Sequence, residues 1–133
     1  MSKDPKKILV VEDEPDMLDF LSVFLHDNGF NVIIATDGRQ GFEKAKKERP
    51  DLITLDITMP EESGVRTLRN IQEDPDTAAI PVIVITGVSK DFKKFIHERK
   101  TVKPPAGYLE KPFEKEELLA MATKLIGYND KVT

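Results

Sequence analysis

Ile8-Leu9-Val10-Val11-Glu12-Asp13-Glu14, near the amino end of the chain, sets four apolar residues directly against three acids. A run this short, rich in β-branched side chains and bounded by charge, predicts a buried strand. The residues that follow change period. Met17, Phe20, Leu21, Phe24 and Leu25 recur at three- and four-residue steps, which predicts an amphipathic helix. Pro15 sits where a first helical turn tolerates it, and Asn28-Gly29 supplies a carboxyl-terminal stop. The opening of the chain is therefore one strand, an acidic turn and one helix.

The same unit recurs to the end of the sequence. Residues 32–35 read as a strand, about 39–48 as a helix with Phe42 and Ala45 inward, and 51–56 as a strand ending on Asp56. Val65, Leu68 and Ile71 mark a third helix, and Pro81 opens a strand over 82–86. A helix with Phe92, Phe95 and Ile96 inward comes next, then a brief strand around Tyr108-Leu109, then a last helix carrying Leu118, Ala122, Leu125 and Ile126. Five such units predict a doubly wound α/β sandwich, a parallel sheet with helices on both faces, because right-handed crossovers put them there. The spacing leaves the strand order open. Ligands of such sheets nonetheless bind beyond the carboxyl ends of the strands, where the order reverses.

Composition narrows the functional classes. A chain of 133 residues fits one compact domain, since domains commonly run about 100 to 150 residues. A single domain over residues 1–133 is expected, with its core from about 6 to 127 and short polar tails. Net charge −4 and a pI near 5.3 argue against a nucleic-acid or membrane-surface binder, which needs a basic face. Without cysteine there is no disulfide, thiol catalysis or thiolate metal site, which suits a reducing compartment. The polar first residues and the shortness of every apolar run leave no signal-peptide core or membrane span, and the expected location is cytoplasmic.

The predicted fold brings Glu12, Asp13, Asp56, Thr86-Gly87 and Lys111-Pro112-Phe113 to one rim. Each has an ordinary explanation alone: acids favour helix amino ends, an aspartate or Thr-Gly pair makes turns, and a lysine solvates a surface. Together they form an acidic cluster with one ammonium. Two carboxylates about 5 Å apart repel by roughly 3 kcal/mol at an effective dielectric near 20, so the cluster calls for a further cation. A hard, oxygen-preferring dication fits, and magnesium is the natural candidate.

In this order and spacing the motifs resemble the receiver domains of two-component response regulators, whose single-domain members include the bacterial chemotaxis switch protein. The resemblance covers nearly the whole chain. It rests on Val10-Val11-Glu12-Asp13-Glu14, Ala35-Thr36-Asp37-Gly38, Pro50-Asp51-Leu52 leading to Asp56 with Met59-Pro60 and Gly64, Thr86-Gly87, and Lys111-Pro112-Phe113. It implies a flavodoxin-like sheet of order 2-1-3-4-5 with five helices. It also implies that Asp56 is the phosphoacceptor, that Glu12 and Asp13 hold Mg2+ directly or through water with Asp56, and that the backbone carbonyl of Thr58 completes the protein ligands. Thr86 would hydrogen-bond a phosphoryl oxygen, Lys111 would pair with the phosphoryl group, Gly87 would let the backbone approach it, and Tyr108 matches the family's switch aromatic. The Lys111-Pro112 bond resembles one that is cis in the family.

Phosphoryl transfer by this arrangement works through positioning and charge neutralisation, with Asp56 as nucleophile. His26 and His97 fall away from the predicted rim, so the phosphohistidine donor is expected on a sensor histidine kinase or phosphotransfer protein, with a further protein as downstream target. The chain itself is expected to be a phosphoacceptor and not an enzyme, monomeric or weakly dimerising on phosphorylation. Thr58 and Val88 offer no carboxylate or amide to orient water, which implies a slowly hydrolysed acyl phosphate. Residues 97–105, ending in Pro104-Pro105, look longer and more basic than is usual in the family, so no output surface carries over there. A haloacid-dehalogenase-type phosphatase would need an acid where Thr58 stands, and a nucleotide-binding domain would need glycines where Glu12, Asp13 and Glu14 stand.

Overall fold

The computed structural model describes residues 5–57, 63–87 and 103–127. The strands are β1 (Lys7–Val11), β2 (Asn31–Ala35), β3 (Leu52–Asp56), β4 (Val82–Thr86) and β5 (Gly107–Glu110). The helices are α1 (Pro15–Asp27), α2 (Gly38–Glu48), α3 (Ser63–Glu73) and α4 (Lys115–Ile126). The strands form one parallel sheet in the order β2-β1-β3-β4-β5. This is the flavodoxin-like arrangement, with four helices among the described residues. The helix expected around Phe92, Phe95 and Ile96 lies outside them.

The two-residue period of the strands divides the core in two. Leu9, Val11, Ile53, Leu55, Val82 and Val84 face α2 and α3, where Ala45, Leu68 and Ile71 meet them. Ile8, Val10, Leu52, Ile83, Ile85 and Leu109 face α1 and α4, where Leu18, Leu21, Leu25, Leu118 and Ala122 meet them. Both sides being covered, the central strands β3 and β4 are buried at every position. Each fully buried Leu or Ile contributes about 1.5–3 kcal/mol of transfer free energy.

The buried stripe of α1 is Leu18-Leu21-Leu25, turned from the sequence pattern that counted Phe20. Phe20 is 42% exposed and stacks on Phe24, centroids 6.2 Å apart. Leu18, Leu21 and Leu25 lie deepest against the sheet, and Met17 and Phe24 are partly buried beside them. Gly29, at φ +95°, ends the helix in a conformation that side chains rarely adopt.

Two contacts fix the ends of the sheet. A Cβ on Gly64, in the first turn of α3, would lie 2.6 Å from the Ile57 Cα and 2.9 Å from its carbonyl oxygen. The helix thus rests on the backbone one residue past Asp56. At the other end, the Gln72 amide of α3 donates to the Lys103 carbonyl oxygen (2.8 Å) and accepts from the Lys103 N–H (2.9 Å). Pro104 and Pro105 follow, and the Ala106 N–H bonds to the Val82 carbonyl at 2.9 Å to start the β4–β5 ladder.

Gly64→Ala is expected to destabilise the protein by about 1–3 kcal/mol, because the colliding atoms are backbone and cannot rotate away. Urea denaturation measures it, and an unchanged midpoint would show that α3 can lift from Ile57 freely.

Candidate functional site

Glu12 is the first residue past β1, held there by its N–H on the Ala35 carbonyl at 3.0 Å. Asp56 closes β3, whose next residue donates from the Ile57 N–H to the Ile85 carbonyl at 2.9 Å. Lys111 leaves β5 with its N–H on the Thr86 carbonyl at 2.8 Å. Three ladder-type bonds therefore deliver three charged side chains to one rim, where the sequence pattern placed them. The Lys111-Pro112 peptide bond is cis, as the resemblance implied.

Carboxylate oxygens of Glu12, Asp13 and Asp56 lie within 4.8 Å of one another. Glu12 is 1% exposed and Asp56 3%, whereas Asp13 stands in solvent. Lys111 Nζ reaches Asp56 Oδ2 at 3.3 Å and stands 3.9 Å from Glu12 Oε1. At such spacings each pair of ionised acids repels by roughly 3 kcal/mol, and one ammonium cannot balance three carboxylates. The Glu12 carboxyl responds by holding its proton. Burial, chiefly, and then a hydrogen bond with Asp56 push its pKa up to about 8, against the opposing pull of the Glu14 N–H and Lys111. That amide donates to Glu12 Oε2 at 3.1 Å, a support for Glu12 that sequence spacing did not reveal.

This donor set suits a hard dication. It is all oxygen, lies at an open rim because Asp13 is exposed, and carries more negative charge than its neighbours neutralise. Glu12, Asp13 and Asp56 are the described residues able to hold magnesium. Thr58, expected to add a carbonyl, and Val88 lie outside the described residues.

Thr86 is buried at the end of β4. The strand period puts it on the α3 side together with Val84, and Val84 is paired with Tyr108 on β5. Tyr108 is half-buried against that core, and burial raises its phenol pKa. Gly87 is exposed. A Cβ there would meet only Lys111 Cδ, at 3.9 Å, so no protein atom demands glycine at that position.

Residues 8–123 match the response regulator receiver domain. The chain belongs to this family. As a receiver domain it is 34% identical to Protein PilH of Pseudomonas aeruginosa over 85% of this chain and 91% of that one. The structure of the chemotaxis response regulator CheY4 of Vibrio cholerae aligns with a TM-score of 0.79 at 31% identity, covering 91% of this chain and 98% of that one. The receiver domain of the sensor histidine kinase PA1611 of Pseudomonas aeruginosa, solved with magnesium in its active-site cleft, aligns at 0.81 with 27% identity, covering 92% and 98%. The receiver domain here spans about half the length of several transcriptional regulators that it also matches. No helix among its described residues is long and apolar enough to cross a membrane.

The raised Glu12 pKa sets a pH dependence. The native receiver domain keeps a proton that the unfolded chain releases near 4.5, so without metal its stability falls as pH rises from about 4.5 through about 8. Magnesium needs the ionised carboxylate, so the thermal stabilisation it gives should be larger at about pH 8.5 than at about pH 6. Differential scanning calorimetry with and without magnesium measures both, and Glu12→Gln should flatten the metal-free slope. A stabilisation independent of pH would place the metal away from Glu12.

Proposed function

We propose that Asp56 accepts a phosphoryl group from a phosphohistidine of a sensor histidine kinase or phosphotransfer protein. The observation that carries this reading is Lys111 Nζ at 3.3 Å from Asp56 Oδ2, beside two further acids able to hold a dication. An Asp56 oxygen attacks phosphorus, the phosphorus–nitrogen bond breaks, and the electron pair stays on the donor imidazole, which takes a proton from solvent. Lys111 neutralises phosphoryl oxygens as they arrive, and the Gly87 backbone lies open to them. Asp13 and Asp56, with Glu12 and the Thr58 carbonyl, would hold magnesium, which when bound would supply further positive charge for those oxygens.

The likeness to PilH and CheY4 supports a signalling switch in place of a turnover enzyme, acting in the cytoplasm on a protein target. The same likeness supports a fifth helix around Phe92, Phe95 and Ile96, and a chain that is monomeric or dimerises weakly when phosphorylated. Thr86 bonding a phosphoryl oxygen would exist in one state only, which is the differential contact a switch requires. Tyr108 shares the sheet side of Thr86 and would fill the space it leaves.

Acetyl phosphate with magnesium should label the protein once, and Asp56→Asn should abolish the label in intact-mass spectrometry. Full labelling of that variant would falsify the assignment. In NMR spectra, beryllium fluoride with magnesium should shift amides across residues 90–118, including 99–103. Shifts confined to Glu12, Asp56, Thr86 and Lys111 would mean that the site binds without signalling to that face.

A further inference from the structure

Beneath the carboxylates lies a polar atom that the chemistry above does not use. Thr54 is 1% exposed, and its Oγ1 is buried with no hydrogen-bond partner among the described residues. Its lateral neighbours are Val10 on β1 and Ile83 on β4, both part of the apolar layer under α1 and α4. An unserved hydroxyl in such a layer is unfavourable, and valine would fill the same volume without it. Packing alone does not account for threonine here.

The strand period supplies a reason. Thr54 stands two residues before Asp56, and its partner Val10 stands two residues before Glu12, so all four side chains leave the same side of the sheet. The hydroxyl is therefore one pleat below the Glu12–Asp56 pair. Glu12 Oε1 is likewise buried and receives no N–H or O–H, with Lys111 Nζ at 3.9 Å. One buried water between these two oxygens, which leave the same side of the sheet one pleat apart, would serve both, the usual means by which buried polar groups are satisfied.

We propose that Thr54 is a positioning residue of the acceptor site, whose hydroxyl, through one buried water, fixes the direction of the Glu12 carboxylate. This deepens the phosphoacceptor reading and rests on it. The hydroxyl donates to the water and the water donates to Glu12 Oε1, leaving the carboxylate turned toward the rim where the metal binds.

Thr54→Val and Thr54→Ser separate this role from packing. The valine variant should unfold at an equal or higher urea concentration without metal, yet bind magnesium about three- to tenfold more weakly by calorimetry. Its labelling by acetyl phosphate should slow in step. The serine variant should bind magnesium within roughly twofold of the wild type, because the hydroxyl remains. Unchanged affinity in the valine variant overturns the proposal, and so does a serine variant as weak as valine, since the methyl group would then be what matters. Should the valine variant not fold, Thr54→Cys, similar in volume with a poorer donor, takes its place with the same expected loss. A wild type that binds magnesium but is never labelled refutes the phosphoacceptor reading, while the ratio of affinities still decides the role of Thr54.

Discussion

Buried negative charge at the carboxyl end of a parallel sheet is the constraint on which this structure depends. Glu12 and Asp56 are almost wholly removed from solvent, yet among the described residues only Lys111 faces them with a positive charge. Such a pair cannot stay fully ionised without help, and Glu12 accordingly keeps a proton to a pH near 8. The resting site is thus held together by a proton and an ammonium. Under the proposed function, a dication with a phosphoryl group would replace the proton and engage the ammonium, so that the stabilising interactions at rest are those that ligands would exchange. A site of neutral side chains would pack better and would have nothing to exchange.

The sheet's alternation puts the acidic cluster and the Thr86–Tyr108 pair on opposite sides. Asp56 and Glu12 follow the register of Leu52 and Val10, toward α1 and α4, whereas Thr86 follows Val82 and Val84, toward α3. Tyr108, opposite Val84, is on that second side. The two sides come together at the rim, where Asp56 ends β3 and Thr86 ends β4. The division follows from strand parity, and a one-residue slip in β4 would reverse it.

Much of this was legible in the sequence because buried parallel strands and amphipathic helices leave strong patterns. β4 was read to its exact ends, and β1, β2, β3 and α2 to within a residue at either end. The rim residues were legible because each closes or directly follows a strand. What escaped was set by three-dimensional contact. The buried stripe of α1 centres on Leu18 and leaves Phe20 outside, since periodicity alone does not say which edge of an apolar arc meets the sheet. Gly64 was noticed as a motif, but its cause, the Ile57 backbone at 2.6 Å, is a close approach that has no sequence signature. Nor does an apolar strand containing one threonine announce that the hydroxyl is buried without a partner.

The paired hydrogen bonds of Gln72 to Lys103 separate loop length from site geometry. From Lys103 onward the path is fixed by that clamp, by two prolines that restrict the backbone, and by the ladder bond from Ala106 to Val82. Lys111 is reached along β5 from this anchor, so its distance from Asp56 is set by residues 103–111. Residues inserted or removed between 88 and 102 alter the chain upstream of the anchor, leaving the ammonium in register. A lineage could therefore vary that connection, and with it whatever surface it presents, without retuning the carboxylates each time.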